Sequence, residues 1–315
     1  MFFWKKRRIY GNKKKYAEIE KIIKDKIATS PELWHYYQLS CLSAIQGDTL
    51  TPFEYLYQYI DFQEFGEDIL TDTDFELLYT TRQWKMLQDS IYSAYLKKYP
   101  NISNKTLSLR LWLYGIEDQK YRTLSNNFKK WRYQGYDKKE TAQISEQKRI
   151  EMINFVDSLL GKKIFPTYSM VGKEASDAVA LIANHSSNKK LTNKALSLME
   201  IATKHNEADV SLYATLKDNS LLYQRKKQIY GTQLIRRFKP QANGKSVPCS
   251  DYFFAPIEDE KNVNIRRKEL GMSTIEEYAQ QFGVTYTYNS QNDKMTFKQI
   301  LKRNNEMAMK QCDEK

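Results

Sequence analysis

The stretch PELWHYYQLSCLSAIQG, residues 31–47, decides the class of fold. Its apolar side chains recur at three- and four-residue steps, which is the spacing of one face of an α-helix, and Gly47 stands where such a helix would end. TPFEYLYQYIDF, residues 51–62, follows, and its first two residues, Thr51 and Pro52, are a typical helix start. The two segments predict a pair of antiparallel helices joined by a tight turn, and with it a mainly α fold.

The same helical spacing continues through most of the chain. It predicts helices over residues 80–100, 107–131, 144–161, 172–185, 190–205, 208–224 and 273–283. The residues NGK, 243–245, separate two short alternating segments, which predicts one small β-hairpin. We therefore expect a helical region over residues 1–100, a second domain over 105–285, and a polar, partly loose tail over 286–315.

The charge of the chain permits acidic partners without favouring nucleic acid. The sequence holds 50 Lys and Arg against 38 Asp and Glu, a formal net charge of +12. These basic residues are not interleaved with glycine and aromatic residues along one stripe, so a solvated basic surface is the better interpretation. We expect no nucleic-acid partner.

The cysteines and the hydropathy set the expected compartment. Cys41, Cys249 and Cys312 are widely spaced and odd in number, a pattern that favours neither a disulfide framework nor a metal cluster. No run of apolar residues reaches the roughly 18–20 residues of a membrane span. The sequence therefore predicts a cytoplasmic protein without a metal site or a cofactor.

The N-terminal helices resemble a known repeat. WHYYQLSCLSAIQGDTLTPFEYLYQYID, followed by ILTDTDFELLYTTRQWKML, is similar to a degenerate tetratricopeptide unit. Such a resemblance implies a protein or peptide partner on these helices. Because a solenoid needs about three units to stand alone, the alternative is a plain helical lid or dimer surface.

Familiar catalytic motifs are absent from the sequence. It contains no phosphate loop, no GxSxG elbow, no HExxH, no CxxC pair and no dinucleotide fingerprint. What remains is a set of polar residues and turn residues in the C-terminal two thirds. These are Asp118, Gln119, Arg122, Phe165, Pro166, Gly172, His185, Asp218, Tyr230, Gly231, Thr232, Gln233, Arg266, Arg267 and Gly271.

This ordered set is similar to a bacterial family of unknown function. The matching stretches are EDQKYR, FPTYSMVG, NHSS, LKDN, QIYGTQ and NIRRKELGM, and the likeness covers roughly residues 105–285. One position departs from the family pattern, because the family's Asp is commonly followed by Arg and here Asp218 precedes Asn219. The resemblance implies a site but no reaction.

The residues themselves leave two kinds of function open. In the first, the protein recognises a ligand or partner through a His/Asp/Gln/Arg pocket without turning it over. In the second, it is a metal-independent hydrolase or transferase that acts on a small anionic substrate. His185 would then be the general acid or base, Asp218 would orient it, and the remaining polar residues would bind substrate.

Each candidate also has a structural interpretation. His185 could be a hydrogen-bonded core histidine, and Asp118 with Arg122 could form an exposed ion pair on one helix. Asp218 could hydrogen-bond nearby backbone, and YGTQ could be a turn into a strand. Arg266 and Arg267 differ in direction by about 100° on a helix, so we expect one to face a cleft and the other to be solvated.

Overall fold

The chain folds mainly into α-helices, as the sequence predicts. A computed structural model describes residues 13–60, 67–128, 138–240 and 246–314, with the side chains at some ends of these ranges left out. Strands within this part of the chain form two small antiparallel ladders. The chain divides into two compact units, Met1–Pro100 and Asn101–Lys315.

The N-terminal unit is built from helices. They are α1 (Lys13–Thr29), α2 (Leu33–Ile45), α3 (Thr51–Ile60), α4 (Glu67–Thr71) and α5 (Arg82–Lys98), with a 3-10 helix at Thr73–Leu78. Helices α2 and α3 are antiparallel, because Ser40 Oγ donates a hydrogen bond to the carbonyl of Pro52 and the ring of Tyr37 lies 5.0 Å from that of Tyr59. The turn between them passes through Gly47, which has a φ of +88°.

The C-terminal unit begins with a helical layer. Its helices are α6 (Lys105–Phe128), α7 (Lys138–Gly161), α8 (Tyr168–Val171), α9 (Lys173–His185), α10 (Lys189–Lys204) and α11 (Val210–Tyr223). Each apolar face packs on a neighbouring helix, and Trp112, Val156, Val179 and Met199 are all buried. Burial of such faces, rather than intrinsic helix propensity, supplies most of the stability of helices of this length.

Helices α6 and α9 pack closely and run in the same direction. Ser108 Oγ donates a hydrogen bond to the carbonyl of Val171, and a Cβ on Gly115 would lie 2.9 Å from the Cβ of Ala178. The contacts therefore advance along both helices together. Only a glycine lets the two backbones approach so closely here, and the polar residues further along both helices are brought face to face.

A small β-hairpin follows the helical layer. Strand β1 (Leu234–Ile235) pairs with β4 (Phe253–Phe254), and β2 (Phe238–Pro240) pairs with β3 (Ser246–Pro248). Both ladders are antiparallel, in agreement with the predicted hairpin. The NGK turn, residues 243–245, lies outside the described residues.

Short helices complete the unit and correct one expectation. They are α12 (Val263–Glu269), α13 (Ile275–Gln280), α14 (Ser290–Lys294) and α15 (Phe297–Glu314). The predicted loose tail is wrong for residues after 290, because they are helical and bury Ile300 and Ala308. The polar residues that suggested a tail lie mainly on the solvent side of α15, an amphipathic helix that buries Ile300 and Ala308 and leaves Met307 and Met309 exposed.

A disulfide bond corrects the expectation drawn from the cysteines. Cys249, next to β3, is bonded to Cys312 near the end of α15, 63 residues away. The predicted absence of a disulfide was wrong because sequence spacing gave no sign that α15 folds back against the hairpin. Cys41 is not part of a disulfide bond. No helix in the described part of the chain has the length and apolar character needed to cross a membrane.

Candidate functional site

Asp218 holds the YGTQ loop by its backbone. The side chain rises from α11 and is fully buried. One carboxylate oxygen accepts the N–H groups of Ile229 and Tyr230 at 2.7 and 3.0 Å, and the other accepts the N–H and the hydroxyl of Thr232 at 3.0 and 2.9 Å. Burial raises the pKa of Asp218, while these donors act in the opposite direction. The carboxylate is thus fully used by the loop.

The two arginines hold the carbonyls of the same loop. Arg266 Nε donates to the carbonyl of Ile229 at 2.9 Å, and Arg267 Nη1 donates to the carbonyl of Tyr230 at 2.7 Å. Arg267 also donates to the carbonyl of Ser273 and lies over the ring of Tyr278. Burial lowers the pKa of Arg267, which is 1% exposed. The expectation that one arginine of the pair is solvated was wrong, because the loop passes both guanidinium groups and accepts a hydrogen bond from each.

Two glutamines close this loop at its ends. Gln228 is completely buried, and its amide donates to the carbonyls of Gln233 and Ala255 and accepts the N–H of Gln233. The side chain of Gln233 points back to Thr232 Oγ1 and to the carbonyl of Thr215 on α11. Our site hypothesis had not included Gln228, although it is the first residue of the QIYGTQ motif. We call residues 228–233 with Asp218, Arg266 and Arg267 the loop clamp.

Gly231 lies at the most crowded point of the loop clamp. It has a φ of +68°, and a Cβ there would lie 2.6 Å from Ile275 Cδ1 and 3.3 Å from Ile257 Cδ1. Gly271 has the same φ of +68° with no atom within 4 Å of its would-be Cβ. The glycine in YGTQ is therefore required twice, by the backbone conformation and by the approach of the loop to the core.

Gly231→Ala is expected to lower the free energy of unfolding by about 2–4 kcal/mol, because a left-handed alanine costs about 1 kcal/mol and overpacking adds 1–3 kcal/mol. Gly271→Ala is the matched control and should cost only the backbone part, about 1 kcal/mol. Urea unfolding of both variants measures the difference. Equal losses would show that the contact with Ile275 relaxes without cost.

His185 and Asp118 form a second polar group, where α9 ends beside α6. His185 Nδ1 lies 2.7 Å from Asp118 Oδ2, and Gln119 Nε2 donates to the same oxygen at 2.9 Å. The side chain of His185 is 18% exposed and that of Asp118 is 7% exposed. Arg122 is on α6, one turn beyond Asp118, but its side chain lies outside the described part. We call His185, Asp118 and Gln119 the His–Asp group.

The structure thus separates the candidate residues into two groups. Among the described residues, no hydrogen bond or ion pair joins the His–Asp group to the loop clamp. Asn219, where the resembled family commonly has Arg, donates instead to Asn184 Oδ1 at 2.7 Å. His35 and His205 make local contacts at helix ends.

A third polar group joins the connector before α9 to α11. Lys173 Nζ lies 2.7 Å from Asp177 and 2.8 Å from Asp209, and it donates to the hydroxyl of Tyr168. Gly172, with a φ of +85°, leads the chain into α9. Lys173 and Asp177 are not among the candidates predicted from the sequence, although their i, i+4 spacing on a helix was a signal.

The N-terminal unit offers one arrangement of possible metal ligands. One ligand atom each of Cys41, Asp72 and Asp74 lies within 4.8 Å of the others. Asp72 already accepts hydrogen bonds from the hydroxyl of Tyr37 at 2.6 Å and the N–H of Asp74 at 2.9 Å. These bonds give the carboxylate a structural role as the cap of the 3-10 helix that follows it.

Comparison with known proteins gives a match to a family whose function is unknown. Residues 135–291 match a family of unknown function (DUF6624). This stretch includes His185 and the loop clamp, while Asp118 and α15 lie outside it. Searches of curated proteins and of solved structures gave no significant match.

Proposed function

We propose that the C-terminal unit recognises a small polar or anionic ligand at the His–Asp group. The observation that carries this proposal is the 2.7 Å contact between His185 Nδ1 and Asp118 Oδ2, made by a buried carboxylate and a partly exposed imidazole. The loop clamp supports the unit and does not bind the ligand in this account.

The chemistry of the pair supports recognition. A carboxylate at Nδ1 holds the proton on that nitrogen and fixes the ring, so Nε2 has a defined direction. Within the described part of the chain, no residue is hydrogen-bonded to His185 Nε2. Gln119 is held by the same carboxylate oxygen, so a fixed ring nitrogen and an amide stand side by side on two rigid helices.

The loop clamp is a poor substrate site, because its polar atoms are already used. Asp218 accepts four donors from the loop, and Arg266 and Arg267 donate to consecutive loop carbonyls. A ligand would have to break buried hydrogen bonds to reach these groups, at a cost of about 1–3 kcal/mol for each group left unsatisfied. This favours a binding role at the His–Asp group over the active site expected from the sequence.

A metal-independent hydrolase or transferase is the second candidate, and one observation favours it. A histidine oriented by a carboxylate at Nδ1 is also the arrangement of a general acid or base. In this version Asp118 replaces Asp218 as the orienting group. Turnover of a bound anionic ligand would distinguish this function from recognition alone.

We also propose that the N-terminal unit is tetratricopeptide-like and takes a protein or peptide partner. The antiparallel packing of α2 on α3 supports the first part. In this proposal the N-terminal helices bind the protein or peptide partner. The domain over residues 105–285 binds the small ligand.

His185→Gln is expected to abolish ligand binding while lowering the melting temperature by less than a core deletion does. The test is a thermal-shift screen of nucleotides, sugar phosphates and amino acids, since a ligand at 100 times its Kd stabilises by about 2.7 kcal/mol. Asp118→Asn should weaken binding too, because the ring loses its fixed tautomer.

His205→Gln is the matched control, because His205 makes only a local contact with the carbonyl of Ile201. If Gln233 bound substrate, as the sequence suggests, Gln233→Ala would abolish binding; because its side chain is held within the loop clamp, we expect unchanged affinity instead. The proposal is wrong if His185→Gln destabilises the protein as much as a core deletion does and the ligand still raises the melting temperature of the variant by the same amount. His185 would then be a core residue.

A further inference from the structure

We propose a second ligand site in the C-terminal unit, a cleft under α15 that takes a small carboxylate with an aromatic or other flat apolar body. The cleft has a volume of about 530 Å³, within the range of roughly 300–1,000 Å³ typical of small-molecule sites. None of the residues of the His–Asp group or the loop clamp lines it.

The walls of the cleft combine apolar and aromatic side chains with polar and charged ones. One wall is the strand segment from Tyr252 to Ile257, a second is the segment from Gly283 to Thr287, and the third is α15 through Ile300 and Met307. The rings of Phe254 and Tyr286 meet edge to face at 5.3 Å. Such walls bind a flat apolar group through its rings and its buried area.

Arg303 supplies a positive charge to this cleft, which the carboxylates of Asp251 and Glu260 also line. Its Nη2 donates to Asn292 Oδ1 at 2.6 Å, while its Nη1 has only the sulfur of Met295, at 3.7 Å. Its Nε is buried without a hydrogen-bond partner. No carboxylate of the described residues forms an ion pair with Arg303, so its guanidinium has polar neighbours in the cleft but no direct partner of opposite charge.

A chain of side chains holds Arg303 in place. Glu260, which is 5% exposed, accepts the hydroxyl of Tyr286 at 2.9 Å and the amide of Asn292. These bonds occupy both of its oxygens and turn the carbonyl of Asn292 toward Arg303. Asn304, beside Arg303, donates to the carbonyl of Phe254. The guanidinium is therefore pre-positioned by groups that are themselves fully bonded, as in a built binding site.

The ligand class follows from these two properties. A guanidinium binds a carboxylate through two parallel N–H groups, and the aromatic walls accept a flat apolar body. A neutral amide of the same shape would keep the apolar contacts and lose the charge-assisted hydrogen bonds. Because such bonds are worth about 1.5–3 kcal/mol, the acid should bind about ten- to a hundredfold more tightly than the amide.

The test uses 4-fluorophenylacetate and its neutral amide as probes, titrated into the full chain and followed by fluorine NMR. We expect the acid to bind and to be preferred over the amide by at least about tenfold. Arg303→Gln should remove this preference, and Arg303→Lys should keep part of it because the charge remains. Equal affinity for acid and amide, absence of binding by the acid, or an unchanged preference in Arg303→Gln would each overturn the proposal.

A second variant keeps the test valid if Arg303→Gln does not fold. Met307 lines the cleft and is 48% exposed, so Met307→Glu places a repelling charge at the rim without disturbing the core. Met309 is 55% exposed on the same helix and does not line the cleft. Met307→Glu should weaken binding of the acid and leave binding of the amide unchanged. Met309→Glu should leave both affinities unchanged. Equal effects of the two variants would contradict the assignment, and His185→Gln should leave the probe affinity unchanged.

Discussion

Asp218→Ala is expected to lower the free energy of unfolding of the C-terminal unit by about 3–5 kcal/mol, the range for removing one partner from a buried charged network. The carboxylate is completely buried and accepts hydrogen bonds from three backbone N–H groups and a hydroxyl. Removing it leaves these donors without an acceptor and leaves Arg267 without the nearby negative charge. Urea unfolding, followed by circular dichroism, measures the loss.

Asp157→Ala is the control for this prediction. Asp157 pairs with Lys194 at 2.7 Å, with both side chains about 40% exposed, and exposed pairs contribute at most about 1 kcal/mol. A loss for Asp218→Ala no larger than that for Asp157→Ala would show that water replaces the carboxylate. The loop clamp would then not be a structural element.

Cys312→Ser is expected to cost about 4 kcal/mol, because the Cys249–Cys312 bond closes a long loop in the unfolded chain. The bonded residues are 63 positions apart, and a loop of this length carries a large closure entropy. The bond also fixes the end of α15, where Gln311 already exchanges hydrogen bonds with Asp251. Unfolding with and without reductant measures the effect.

The matched control is Cys41→Ser, which replaces a cysteine that is not part of a disulfide bond. Reductant should destabilise the parent protein and Cys41→Ser by the same amount and should leave Cys312→Ser unchanged. If reductant changes none of the three, the two cysteines are not bonded in solution. The bond also removes the cysteine argument for a reducing compartment.

Local sequence patterns were sufficient to predict the hairpin and nine helices, namely α2, α3, α5, α6, α7, α9, α10, α11 and α13. Gly47 and the Thr51–Pro52 start marked the turn between α2 and α3 correctly, because caps and turn residues act on their immediate neighbours. The polar end of the chain was misread, because the buried residues of α15 are few and its partner surface is distant in sequence. Local patterns carry no information about a packing surface that is distant in sequence.

The candidate site could be predicted only as a set of residues, because their grouping depends on tertiary packing. The parallel packing of α6 and α9 at Gly115 brings Asp118 to His185, and neither helix indicates this alone. Asp218 was expected to orient His185, and it binds the loop instead. Its alternative interpretation, hydrogen bonds to nearby backbone, describes the observed contacts.

Double-mutant cycles on unfolding free energy test most directly whether the polar residues form two groups. The first cycle combines Asp218→Asn with Arg267→Met, which meet at the same loop, and the second combines Asp218→Asn with Asp118→Asn. Residues of one network couple by about 0.5–3 kcal/mol, and independent sites add within about 0.5 kcal/mol. The account predicts a coupling above about 1 kcal/mol in the first cycle and additivity in the second. Additivity in the first cycle, or coupling of similar size in both, would contradict it.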